Sequence, residues 1–279
     1  MTVVSAWVRK TLHGAEEVVV VSDSRLSGGG SLDCSPKIIQ LPRSDAVMAY
    51  AGDTFFAYPI IHQISEAIRA NRSLQERVKD YSSLRNFILK VMNEMYALYD
   101  DGGYKGFGTP QTGFVLAGYS WFKKQFMIDL ITFRRGTKKF EHQPVLDRFG
   151  RGKVCFTGDM GKDAFYLFCK KLEQKHGAAH VKGPARDKSA LDMEPFEVVR
   201  DMLRSADSRV ASIGGAPQIV TVSQHMNSRQ TAVYWPNKET GKVFLGGAPV
   251  VDLNYLDSWI LDPDTLKKSH LNYKAYAKD

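Results

Sequence analysis

The feature that most constrains the fold is an unbroken run of valines, Val18–Val21, inside "EEVVVVSDS". β-branched residues in such a run favour an extended strand over a helix. A second run of this kind, "TVVSAWV", precedes it across "RKTLHGA", where Gly14 suits a hairpin connection. After a flexible "SGGGS" loop, "KIIQLP" and "AVMAYAG" read as two further short strands. Residues 54–70 carry apolar side chains at helical spacing, with Thr54 as the expected N-cap. Pro59 is tolerable only near a first turn, so this helix is expected to start after the cap suggests. A second helix is expected over 83–99.

The pattern then repeats. "FVLAGYSWF" and "QFMIDLITF" predict a strand pair, and "KDAFYLFCKKLEQKH" and "PFEVVRDMLRSA" predict two helices joined by an exposed loop. "APQIVTVSQ", "RQTAVYW" and "GKVFLGG" predict late strands. Strands, two helices, strands, two helices and strands again point to an α+β fold, not to alternating βαβ units. The expected architecture is a four-layer αββα sandwich, two antiparallel sheets between helical layers. One domain is expected over residues 1–240, with a C-terminal extension over 241–279 that packs on the domain or at an interface.

Composition excludes several classes. The hydrophobic share of 43% over 279 residues is ample for a large core. Apolar stretches such as "GFVLAGY" are far below the roughly 18 residues a membrane helix needs, and no signal peptide is visible. The three cysteines, Cys34, Cys155 and Cys169, are odd in number and widely spaced, against a disulfide framework or a zinc site. A cytoplasmic protein is therefore expected. The net charge of +8 is spread over scattered lysines and arginines with no nucleic-acid motif. It reads as a solvated basic surface, or one facing an acidic partner. The seven histidines form no metal-binding spacing, and His62 in "IIHQI" reads as a helix-face residue. "SGGGS" lacks the Gly-Lys-Ser/Thr of a phosphate loop, so no cofactor is expected.

Chemistry enters with four positions. Thr2 opens the first strand, Asp23 ends the second, Lys37 begins a third, and Gly52 stands at a strand-to-helix junction. A strand-end carboxylate, a partly buried lysine and a glycine N–H ahead of a helix are parts a nucleophilic site needs. Taken singly they have plainer readings: a turn former, a solvated flanking lysine, a steric glycine.

In this order and near these spacings the four resemble the proteasome β-subunit family of N-terminal nucleophile hydrolases, the bacterial HslV-type peptidases in particular. The match rests on Thr2, on "SDSR" with Asp23 and Arg25, on Lys37, and on Ala51-Gly52. "FVLAGYSWFKKQFMIDL" is similar to a family hairpin, and "VCFTGDMGKDAFYLF" and "SIGGAPQIVTV" are looser matches. The resemblance is good over 2–60 and 113–133, loose over 150–222, and absent from about the last 50 residues.

The resemblance implies a threonine peptidase acting on peptides or unfolded proteins. Removal of Met1 would expose Thr2 as nucleophile and its α-amine as base. Lys37 would favour the alkoxide-like form of the hydroxyl, Asp23 would fix Lys37, and the Gly52 N–H would receive the oxyanion. Tyr50 would floor the specificity pocket, with Leu26, Ser27, Ser35 and Thr54 lining it. The family also implies a homo-oligomeric ring and an ATP-driven unfoldase partner, to which any ATP use would belong.

Two departures weaken the amine's support. Asp159 or Met160 stands where the family has a serine. The Asp-x-x-Ser pair becomes "DSRVASIGG", so Ser212 keeps its place while Asp207 is displaced by the longer spacing. A small-molecule amidase of the same superfamily, or a silent assembly or regulatory subunit, are the alternative readings.

Overall fold

The computed structural model describes residues 2–11, 14–28, 30–99, 110–148, 150–177, 190–205 and 212–270. These form an α+β protein with antiparallel sheets and five helices. A nine-stranded sheet holds β1 (Val4–Lys10), β2 (Glu16–Ser22), β10 (Val154–Thr157), β11 (Gln218–Ser223), β12 (Ser228–Trp235), β13 (Lys242–Leu245), β14 (Ala248–Pro249), β15 (Trp259–Leu261) and β16 (Lys268–His270). Its main path runs β10-β1-β2-β11-β12-β13-β14, and β15 joins β12 in its one parallel pairing. A five-stranded sheet runs in simple order through β5 (Ile38–Gln40), β6 (Ala46–Gly52), β7 (Thr112–Ser120), β8 (Gln125–Arg134) and β9 (Lys139–Pro144). β3 (Leu26–Ser27) and β4 (Ser31–Leu32) form a separate two-stranded hairpin.

The valine run explains itself through its two parities. Val19 and Val21 pack in one apolar cluster with Phe168 of α4 (Gly161–His176) and Phe196 of α5 (Glu194–Ser205). Val18 and Val20 pack in another with Val47 of β6 and Val115 of β7. Alternation sends successive side chains to opposite faces, so a strand covered on both sides needs apolar residues at every position. A third cluster joins Met48 and Tyr50 of β6 to Ile60 and Ile64 of α1 (Thr54–Arg69) and Leu84 and Ile88 of α3 (Tyr81–Ala97).

Helix α1 departs from expectation at its start. The N-cap is Asp53, whose Oδ1 accepts from the Phe55 N–H at 2.9 Å, and the helix begins at Thr54 with Pro59 inside it. An internal proline costs a helix about 3 kcal/mol. The cap and the buried row Ala57, Ile60, Ile61, Ile64 and Ile68 outweigh that cost. The short helix α2 (Arg72–Gln75) follows, capped by Asn71.

The segment expected as an exposed loop between α4 and α5 lies largely outside the described residues. Its last part is not exposed: Leu191 and Met193 are buried, and the Trp7 indole donates to the Asp192 carbonyl at 2.6 Å. Beyond residue 240, β13 hydrogen-bonds directly to β12, and Ile260 and Leu261 of β15 are buried. No helix among the described residues is long and apolar enough to cross a membrane.

Candidate active site

The β1–β2 hairpin builds the first half of the site. Its register pairs Val4 with Ser22, which sets Thr2 and Val3 beside Asp23 at the strand ends. The Val3 N–H donates to Asp23 Oδ1 at 3.2 Å, and the Asp23 N–H returns a bond to the Val3 carbonyl at 3.3 Å. Lys37 arrives just ahead of β5. Its main chain is fixed by Gln218, whose Oε1 accepts from the N–H groups of Lys37 and Ile38 at 2.9 and 3.3 Å. The same amide donates to the carbonyls of Asp23 and Ser35, at 3.1 and 2.7 Å. Gln218 thus ties β11, β5 and the end of β2 together.

These placements bring three side chains into contact. Lys37 Nζ lies 2.9 Å from Thr2 Oγ1, 2.9 Å from Asp23 Oδ1 and 3.0 Å from Asp23 Oδ2. Asp23 and Lys37 are fully buried and Thr2 is 2% exposed. Burial pushes the Asp23 carboxyl up, opposed by Lys37 and by the N–H groups of Val3 and Arg25. Burial also pushes the Lys37 ammonium down, opposed chiefly by Asp23. The pair therefore holds a lysine that gives up its proton more readily than a solvated one, in contact with a hydroxyl.

Gly52 shares a cleft of about 270 Å³ with Thr2. Its φ is +114°, and a Cβ there would lie 2.1 Å from the Gln111 carbonyl oxygen, so only glycine fits. Leu26, Ser27 and Thr54 line the same cleft, together with Arg25, Asp53 and Asp159. Ser35 and Tyr50 do not line it. Ser35 is buried, with its backbone bonded to Ser24 and Gln218. Tyr50 shares the parity of Ala46 and Met48, so its ring goes into the cluster beneath α1, edge-on to Tyr58 at 5.4 Å. Its hydroxyl is buried with no hydrogen-bond partner among the described residues.

Ser212 is half-buried and is not among the residues lining the cleft. Two residues on, the Gly214 N–H donates to Asp23 Oδ2 at 3.4 Å. Asp207 lies outside the described residues. The residue that meets the Thr2 nitrogen is Asp159: the Thr2 N–H donates to its Oδ2 at 3.1 Å.

No protein-family model matches this chain, and no curated protein matches it. A hydroxyl held by a buried ammonium, beside a glycine on a cleft wall, is suited to attack on a carbonyl carbon. Gln218 escaped the sequence reading because a glutamine opening an apolar strand gives no hint of what its amide will bridge. Its one legible signal is that it breaks the run "APQIVTV".

Proposed function

We propose that this chain is a threonine-type N-terminal nucleophile hydrolase that cleaves amide bonds in peptides or unfolded proteins. Thr2 is the nucleophile once the Met1–Thr2 bond is cut. The observation that carries the proposal is the 2.9 Å contact of Lys37 Nζ with Thr2 Oγ1, made while the same ammonium holds both Asp23 oxygens. A lysine with a merely structural ion pair has no need of a cleft-lining hydroxyl as a third partner.

In the proposed reaction Thr2 Oγ attacks the carbonyl carbon and its proton passes to the Thr2 α-amine, directly or through water. Lys37 lowers the cost of the developing negative charge on Oγ. The Gly52 N–H stabilises the tetrahedral oxyanion, a contact typically worth about 3 kcal/mol. Collapse transfers the proton to the leaving amine, and water then hydrolyses the ester on Thr2. A second cavity of about 310 Å³ adjoins the first and shares Gly52, Gln111 and Asp159 with it. Space on two sides of Gly52 suits an extended peptide with residues either side of the cut, and favours that over a compact amide.

The three apolar clusters support reading the fold as the four-layer αββα sandwich: one between α4–α5 and the large sheet, one between the sheets, one between the small sheet and α1–α3. Assembly into a closed oligomer, and service by an ATP-driven unfoldase, belong to the same proposal. The test is intact mass. A species lacking Met1 that gains the mass of a threonine-directed epoxyketone or β-lactone supports the hydrolase. Retained Met1 with no adduct overturns it.

A further inference from the structure

We propose that Asp159 is a positioning residue for the Thr2 α-amine and sets the pH at which that amine can act as a base. The inference rests on Thr2 being the N-terminal nucleophile.

Residues 158–160 are shaped around the backbone of Thr2. Gly158 adopts φ +97°, a conformation in which side chains are disfavoured, and it lines the second cavity beside Asp159. The Met160 N–H points to the Thr2 carbonyl at 3.4 Å, and Asp159 Oδ2 accepts from the Thr2 nitrogen at 3.1 Å. The turn therefore addresses both main-chain groups of Thr2, while Lys37 addresses its hydroxyl from the other side. α4 begins at the next residue and holds the turn from behind, with the Ala164 N–H bonded to the Met160 carbonyl at 2.9 Å.

The charged groups around the nitrogen come from every neighbouring element. Lys37 stands ahead of β5, Asp23 after β2, Asp159 ahead of α4, and Arg25 and Asp53 on the cleft walls. Lys37 is bonded to Asp23, and Arg25 is bonded through Nε and Nη2 to the two carboxylate oxygens of Asp33 at 2.6 and 2.7 Å. Asp53 uses its Oδ1 to cap α1. Asp159 is the carboxylate in direct contact with the nitrogen. When that nitrogen is an α-amine, the carboxylate favours its protonated form. An ordinary α-amine loses its proton near pH 8, and an opposite charge in contact moves the transition upward. The amine then becomes a competent base only in alkaline solution. Asp159 is exposed, so the effect sits at the low end, about 1 pH unit, and shrinks with salt.

The test is made on the full chain with Asp159→Asn, which keeps the shape and an acceptor oxygen but removes the charge. Competitive acetylation of the α-amine with acetic anhydride across pH, read by peptide mass, gives the amine's transition without needing turnover. A β-lactone labelling profile by intact mass is run beside it. The expected result is a downward shift of about 1 pH unit in both profiles, smaller at high salt. A free Thr2 whose amine transition does not move on Asp159→Asn overturns this inference and leaves the nucleophile standing. A chain that keeps Met1 overturns both readings.

Discussion

Gly158 and Thr2 meet backbone to backbone: a Cβ built on Gly158 would lie 2.1 Å from the Thr2 carbonyl oxygen. Any side chain at 158 must therefore push Thr2 away from Lys37 or distort the turn that holds Asp159. Gly158→Ala is expected to lose about 1–3 kcal/mol in urea denaturation and to abolish β-lactone labelling. Gly14→Ala is the control. Gly14 also has a positive φ, +81°, but nothing lies within 4 Å of its Cβ position. That variant should lose only about 1 kcal/mol and label normally. Equal labelling of the two variants would refute the role given to the Gly158 contact.

The buried pair makes a sharper demand. Lys37→Met leaves the Asp23 carboxylate without its cation in a site with no solvent access, a change that typically costs about 3–5 kcal/mol. The loss should grow as pH rises. Burial already pushes the Asp23 carboxyl up, so folding favours its protonated form and ionisation works against the fold once Lys37 is gone. Adding Asp23→Asn removes the charge while leaving an oxygen to accept from the main chain. The double variant should be more stable than Lys37→Met alone at pH 8, and equally unreactive. Urea midpoints at pH 6 and 8 decide it; a pH-independent loss in the single variant would contradict the argument.

The cysteines give an independent check on burial. Cys155 sits on β10 within the cluster between β1, β2 and β6, and burial pushes its thiol up to about 12. Burial also pushes the Cys169 thiol up. The thiolate is the reactive form, so Cys155 should resist iodoacetamide at pH 8 in the folded chain and react fully in urea. Peptide mass after a timed reaction reads this directly. Prompt alkylation of Cys155 in the native protein would show that β10 is not seated against β1 as described.

How much of this was legible in the sequence follows from how local each signal is. The Val18–Val21 run and Gly14 give the β1–β2 hairpin because β-branching and a positive φ act over a few residues. That hairpin then brings residue 2 to residue 23; Lys37 comes from the start of a strand in the other sheet, so its pairing with Asp23 was expected only through the family resemblance. Pro59 misled because a local penalty was set against a buried helix face whose extent depends on tertiary packing. Asp159 contacts a nitrogen 157 positions away, and Gln218 bridges strands from separate parts of the chain. Contacts of that span leave no periodicity to read. The place of Tyr50 was open to the alternation of β6, which groups it with Ala46 and Met48.

The start of α5 supplies the last test. Glu194 is buried in the first turn of the helix, where a carboxylate also meets the favourable end of the helix dipole. Lys175 of α4 donates to its Oε1 at 2.5 Å and the Asp192 N–H to its Oε2 at 2.8 Å. Burial alone would push this carboxyl up, but the Lys175 bond and the N–H groups of Glu194 and Asp192 outweigh it, and Glu194 is held below the ordinary glutamate range. The folded chain therefore binds this proton more weakly than the unfolded chain does. The stabilisation is fully present above the ordinary glutamate value, about 4.3, and is lost as pH falls through the folded one. Glu194→Gln should lower the melting temperature at pH 7 and leave a shallower decline on acidification than the parent chain shows. Lys175→Met should be worse than Glu194→Gln at pH 7, because it strands a buried carboxylate instead of removing one. Parallel acid limbs in the parent and Glu194→Gln melting curves would show that the α4–α5 ion pair does not set the acid stability of this layer.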